Sequence, residues 1–359
     1  MSAIRPEVRT GRGAVSNPEG RFEHTRTEVV DDGWGTIEEP LPPLQTTVQA
    51  EPARTIITRN QSPDIGFEQS INPYRGCEHG CIYCYARPAH ANLNLSPGLD
   101  FETHLFFKAD AARLLERELA RPGYKCLPIM LGANTDPYQP IERDYRVTRS
   151  ILELLARYRH PCSIITKSAM VVRDLDVLAC MAKDRLVQVF VSITTLSNEL
   201  KRTLEPRAAS PAARLRTIAA LAAAGVPVGV MVAPVIPVLT DAELEAILKS
   251  AAEAGATSAQ YVLLRLPHEV KGLFREWLEA NEPLKAKHVM SRLQAMRGGR
   301  DYDARWGVRM RGEGEYAQLL RKRFELACAR YGLNRGPRFA HNCSLFTPPV
   351  VGSQQLSLL

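Results

Sequence analysis

Three cysteines stand close together in the order Cys77-Glu78-His79-Gly80-Cys81-Ile82-Tyr83-Cys84. Thiolates at i, i+4 and i+7 of one loop can wrap a single soft metal centre. An electron-transfer [4Fe–4S] cluster takes four Cys ligands. A loop supplying three leaves one iron open to a small molecule, and Tyr83 sets an aromatic face beside it. A structural zinc site asks for four ligands, commonly in two C-x-x-C-like pairs, and no second pair occurs. A disulfide framework belongs to short secreted chains, whereas this chain has 359 residues, 45% of them hydrophobic. The other five cysteines, Cys126, Cys162, Cys180, Cys328 and Cys343, show no pairing pattern and read as small buried hydrophobes. His79, between two of the thiols, either tunes the centre through a hydrogen bond or is simply exposed.

The pattern C-x-x-x-C-x-aromatic-C resembles the signature of the radical S-adenosylmethionine (SAM) superfamily. The resemblance implies a [4Fe–4S] cluster on Cys77, Cys81 and Cys84, with SAM chelated through its amino and carboxylate groups to the open iron. It also implies an electron donor such as flavodoxin or ferredoxin. One electron passed to SAM would yield a 5′-deoxyadenosyl radical that abstracts a hydrogen atom, while the protein supplies placement and exclusion of water.

The elements that must position such a loop can be read along the chain. Residues 1–65 are rich in Gly, Pro, Thr and charge, which predicts an irregular extension, pinned in part by Trp34 and Ile56-Ile57. Residues 66–74 read as a strand leading into the cysteine loop. Apolar runs at 126–132, 162–167, 186–193, 226–233 and 259–266 read as buried strands. Helices are expected at 110–121, 147–158, 172–183, 212–224 and 241–254, the fourth closed by Gly225 and the last N-capped by Thr240. Six alternations with continuously apolar strands mean a parallel sheet buried on both faces. The fold class is therefore α/β, and the resemblance implies a partial (β/α)6 barrel over 66–268. A basic helical extension (269–346) and a flexible tail (347–359) are expected to follow.

In parallel barrels, chemistry gathers at the C-terminal ends of the strands. The second strand runs into Asn134-Thr135-Asp136-Pro137, where the family's segment bonds the SAM amine; acceptor side chains suit an ammonium, and an Asx/Pro turn has the same composition. Lys167 ends the third strand, where an unpaired charge is costly and the SAM carboxylate would serve as its partner. Ser192 and Thr194 follow the fourth strand, with hydroxyls that could reach ribose or carboxylate; Thr194 is equally an ordinary β-branched strand residue. Arg265 ends the sixth, to meet a phosphate or make a surface ion pair.

The segments 72–87, 135–140 and 165–168 together resemble the spore photoproduct lyase-like branch, whose lyases repair a thymine dimer in DNA. Those lyases place a cysteine just before the Ser-Asp or Thr-Asp pair that ends the second strand. Here Gly132-Ala133-Asn134 carries no thiol, which leaves Cys343 as the one cysteine able to reach in. The net charge of +7 is uneven: residues 285–338 hold fourteen Lys/Arg against five Asp/Glu. With interspersed aromatics, that is the footprint of a polyanion-binding surface or a solvated basic face. A radical enzyme acting on DNA is the leading expectation, ahead of one acting on RNA or protein and of a non-catalytic iron–sulfur sensor. The terminal Gln355-Leu356-Ser357-Leu358-Leu359 resembles the bacterial sliding-clamp motif, which favours DNA. No run of 18 apolar residues predicts a membrane span, the N-terminus lacks a signal-type apolar stretch, and free thiols point to a reducing cytoplasm.

Overall fold

The computed structural model describes residues 8–23 and 44–349. Trp34 and the Gln355–Leu359 pentapeptide lie outside the described residues. The described residues form ten strands: β1 (Thr47–Ala50), β2 (Ile57–Arg59), β3 (Gln69–Ile71), β4 (Tyr74–Arg75), β5 (His104–Phe107), β6 (Ile129–Leu131), β7 (Cys162–Thr166), β8 (Val187–Ser192), β9 (Val228–Val235) and β10 (Ser258–Leu263). Seven join one sheet in the order β10-β9-β8-β7-β6-β3-β2. Six of them, β3 and β6 to β10, run parallel, and β2 adds antiparallel to the outer edge of β3. β3 and β10 are not neighbours, so the expected partial barrel of six parallel strands is the fold observed.

Parallel neighbours need long crossovers, and helices supply them: Ala111–Leu119, Val147–Arg157, Leu175–Lys183, Pro211–Ala223 and Leu244–Glu253. Their apolar stripes, including Leu115, Ile151, Leu178, Ile218 and Ile247, share one core with Ile129, Leu131, Ile164, Val189 and Val230 from the strands. Each such side chain stabilises by about 1.5–3 kcal/mol on full burial. Pro211 opens its helix at N1, where its missing N–H costs nothing, and Ser210 accepts from the Ala213 amide at 3.2 Å. The expected Thr240 cap is not made. Thr240 Oγ1 instead accepts from the Ile236 amide at 2.8 Å, and the helix is entered through a 3-10 turn, Asp241–Glu243.

The N-terminal extension is more ordered than its composition implies. β1 joins β5 and β4 in a second, three-stranded sheet, β2 joins the barrel sheet, and Ala14 and Val15 are buried. Ile56 is buried as expected. After β10 the chain is helical, with Val270–Asn281, Pro283–Ala295, Val308–Arg311 and Gly314–Tyr331. The short helix Val308–Arg311 packs on β10 and reaches across to the loop before β3. There Arg309 Nε meets Asp64 Oδ2 at 2.5 Å and the Gly307 amide donates to Asp64 Oδ1 at 2.6 Å. This clasp spans the gap between the unpaired edges.

Residues 341–347 close the opposite end of the barrel. His341 Nε2 donates to the Cys162 carbonyl at 3.0 Å, the Asn342 amide to Arg185, and the Thr347 amide to Tyr158. These partners lie at or just before the starts of β7 and β8. Cys343 therefore sits at the far end from the cysteine loop, and the expectation that it reaches in is corrected.

Candidate functional site

The cysteine loop leaves β4 at the C-terminal end of the barrel sheet. Cys77 and Cys81 are buried, Cys84 half-buried, and all three thiols are free. Burial pushes the Cys77 thiol well up and Cys81 up to about 12, so a metal must displace their protons when it binds. No group of three or more His, Cys, Asp or Glu among the described residues converges on a single-ion site. Thiolates that hold separate irons of one cluster have no need to converge in that way. The donor set, three soft thiols on one loop, thus fits a cluster with one open iron.

The loop's backbone is held by an ion pair that the sequence did not announce. Arg87 is fully buried and uses every donor: Nε to Cys81 O at 2.9 Å, Nη1 to Pro97 O and Gly98 O, and Nη2 to Gly80 O at 3.2 Å and Glu102 Oε1 at 2.5 Å. The Glu102 carboxylate also accepts from the Gly13 and Ala14 amides at 3.0 and 2.9 Å. Residues 12–15 are thereby strapped across the cysteine loop. A Cβ on Gly13 would lie 1.8 Å from Gly80 O, so only glycine permits the contact. Gly80 itself has φ +68°, a region that favours glycine. On the other side, the Glu78 amide donates to Gln139 Oε1 at 2.9 Å, and Gln139 Nε2 to Gly76 O.

The expected site residues divide into two groups. Lys167 Nζ lies 5.7 Å from the centroid of the Tyr83 ring and has no ion-pair or hydrogen-bond partner among the described residues. The half-buried Asn134 likewise leaves its side-chain amide unpartnered among them. Ser192 is buried at the end of β8. The other two are engaged internally: Thr135 Oγ1 donates to Tyr74 O at 2.8 Å, and Asp136 receives Thr166 Oγ1, the Lys167 amide and the Tyr138 amide at 2.7–2.9 Å. His79 is buried, with Nδ1 3.4 Å from Asp136 Oδ2. Burial would raise the Asp136 carboxyl, but His79 and these donors outweigh it and hold it at about 2. Asp136 therefore ties the cysteine loop to the end of β7.

A second network lies beneath Tyr83. Its hydroxyl donates to Glu205, which also receives Thr194 Oγ1 at 2.6 Å and the Arg214 guanidinium. Burial opposes the charge on Glu205, yet Arg214 and then Lys167 hold it at about 2. Thr194 thus serves the carboxylate and the Ala233 carbonyl. Arg265 lies with its guanidinium carbon 5.0 Å from the centroid of the Tyr85 ring; Tyr85 follows Cys84, is 42% exposed, and donates to the Ala133 carbonyl. Tyr85, Glu102, Glu205 and Arg214 were not singled out from sequence; the adjacency of Tyr85 to Cys84 was the one signal available.

Comparison with known proteins agrees with this geometry. The model of the radical SAM superfamily matches residues 71–251, just over half of the chain. An uncharacterized protein of Mycobacterium tuberculosis is 42% identical over 219 residues, covering 60% of this chain and 64% of that one. The chain thus matches under two thirds of that relative's length. An uncharacterized protein of Acidianus two-tailed virus is 31% identical over 220 residues, 59% of this chain and 70% of that one. Among solved structures, a spore photoproduct lyase mutant superposes with a TM-score of 0.58 at 16% identity, covering 80% of each chain. Another form of that lyase, with AdoMet and dinucleoside spore photoproduct bound, gives 0.56 at 17%. At such identity the likeness is one of fold. The family match extends over the cysteine loop and the strands that carry it, and the chain belongs to the radical SAM superfamily, whose cofactors are a [4Fe–4S] cluster and S-adenosylmethionine.

Proposed function

We propose that this radical SAM enzyme acts on nucleic acid, with DNA the favoured polymer and a lyase-like repair or modification reaction the favoured chemistry. Cys77, Cys81 and Cys84 hold the cluster. Lys167 receives the SAM carboxylate, Asn134 and Ser192 bond its polar groups, and Tyr83 walls the site. Thr135 and Asp136 shape the same pocket through their backbone and bracing bonds. The bound cofactors supply one-electron cleavage of SAM; the protein's residues orient SAM and keep water out. The observation that carries the SAM reading is the Lys167 ammonium over Tyr83, since its neighbour Glu205 is already bonded to Arg214 and a half-buried cation with no ion-pair partner of its own is a place kept for an anion.

Support for a polyanion comes from Lys287, Arg300, Lys322 and Arg338, all exposed and without ion-pair partners among the described residues. Part of the basic segment is already committed: Arg321 pairs with Glu325 and Arg323 with Glu245. No described helix is long and apolar enough to cross a membrane, and the reading places the enzyme in a reducing cytoplasm, supplied by a flavodoxin- or ferredoxin-type donor. The division at 65/66, 268/269 and 346/347 belongs to the same proposal.

The test is anaerobic reconstitution followed by measurement of 5′-deoxyadenosine with duplex DNA, single-stranded DNA, tRNA or peptide present. DNA should raise the yield. Stimulation by tRNA or peptide alone would move the substrate there, and SAM cleavage by a variant lacking all three loop cysteines would end the reading. On this view Gln355–Leu359 recruits the enzyme to a sliding clamp. A labelled 350–359 peptide should saturate on purified clamp, and no saturation up to about 1 mM, a free energy near −4 kcal/mol, would remove that contact.

A further inference from the structure

Two arginines at the open end of the barrel lack the partners that buried charge demands. Arg265 follows β10, and its Nε is buried with no hydrogen-bond partner. One Nη reaches only the thioether of Met310, at 3.4 Å, a weak acceptor. Arg297 is fully buried, and its Nε is likewise unpartnered. Its two Nη atoms hold the Leu264 and Val308 carbonyls at 2.8 and 3.1 Å, which anchors it to the backbone of the residue before Arg265. Neither side chain has a carboxylate within ion-pair distance among the described residues. Burial lowers Arg297 to about 10; Tyr302 opposes that, the neighbouring charge of Arg265 adds to it, and the Asp303 carboxylate, beyond ion-pair distance, opposes it in part.

The other fully buried arginines among the described residues are paired: Arg87 with Glu102 and Arg214 with Glu205. The pair at the mouth departs from that rule. Arg265 lies against Tyr85, one residue from Cys84, and Arg297 holds the carbonyl of Val308, two residues from Trp306, which is 57% exposed and stacked by Arg309 at 4.1 Å. Unpaired guanidinium next to exposed aromatic rings is the composition that binds a phosphate carrying a flat base.

We propose that Arg265, backed by Arg297, is the anion-binding site for a phosphodiester of the substrate, fixing the target nucleotide beside the cluster loop. The inference rests on the nucleic-acid reading and specifies where that substrate is held. It also implies that a bound anion stabilises the site, because neither of these two like charges has a carboxylate within ion-pair distance among the described residues.

The experiment uses full-length, cluster-loaded protein and three probes: the dinucleotide TpT, its uncharged methylphosphonate analogue, and inorganic phosphate. Wild type should bind TpT at least tenfold more tightly than the analogue, and phosphate should raise its melting temperature. Arg265→Gln should abolish both the discrimination and the phosphate effect, and should melt at or above the wild-type temperature without ligand. Arg265→Lys should keep part of the discrimination. Equal binding of TpT and its analogue by wild type would overturn the anion site and leave nucleic acid recognition standing. Binding of phosphate through Arg265 with no preference for TpT over phosphate would support the anion site while ending the nucleotide assignment. A large loss of melting temperature in Arg265→Gln, with phosphate still stabilising the variant, would make Arg265 structural and overturn the proposal.

Discussion

Lys167 and Glu205 show what a single charge does when its surroundings are half closed. Glu205 is satisfied by Arg214, Thr194 and Tyr83; Lys167, over the same tyrosine, is not. If Lys167 waits for the SAM carboxylate, Lys167→Ala should weaken SAM binding by roughly 1.5–3 kcal/mol, the contribution of a charge-assisted hydrogen bond, while iron content stays unchanged. Equilibrium dialysis with labelled SAM, beside an iron assay, reads both, and an unaltered SAM affinity would assign Lys167 to structure. The cysteines and Lys167 could be singled out as candidates in the sequence because the signals are local: a spacing in one loop and a charge at a strand end. Glu205 and Arg214 were not. In the stretch 201–214 nothing separates them from three other charged residues, and burial decides which pair matters. Asp136 was legible as an acceptor, but not that its acceptance would be used up by His79 and the end of β7.

At the scale of elements, alternating strands and helices were readable from periodicity, and the six parallel strands are where the apolar runs put them. The misses lie where contacts are non-local. The short elements between Arg87 and Thr103 have no periodic pattern because they pack on the cysteine loop rather than on a helix face, and β5 pairs with β1 and β4 outside the barrel sheet. The strap at residues 12–15 reads as Gly-rich coil, yet it is fixed through Glu102. Glu102→Gln would leave the Arg87 charge buried and unpaired, and breaking one partner of such a pair typically costs about 3–5 kcal/mol. The loop carbonyls of Gly80 and Cys81 would lose their brace as well. The expected outcome is faster iron release to a ferrous chelator at temperatures where circular dichroism shows the barrel intact. Release at the wild-type rate would mean that the ion pair stabilises the fold without governing the cluster loop.

For the whole molecule, the terminal segments complete what the barrel leaves open. The clasp between Arg309 and Asp64 ties the C-terminal helices to the loop between β2 and β3, and residues 341–347 cover the far end of the strands. Composition marked both flanks as additions, and could not reveal that they are anchored to opposite edges and ends of one sheet, since each anchor joins residues more than 100 positions apart. The strap is the extreme case. Ser16 is bonded to Glu276 and Arg21 pairs with Glu269, so a segment made first is seated on residues made late. During synthesis those contacts cannot form until the chain has grown past residue 276, by which point Cys77, Cys81 and Cys84 have long emerged. The bonds of Gly13 and Ala14 to Glu102 need only the first part of the chain, so the cover over the cysteine loop can be laid early and is locked down only when Glu269 and Glu276 arrive.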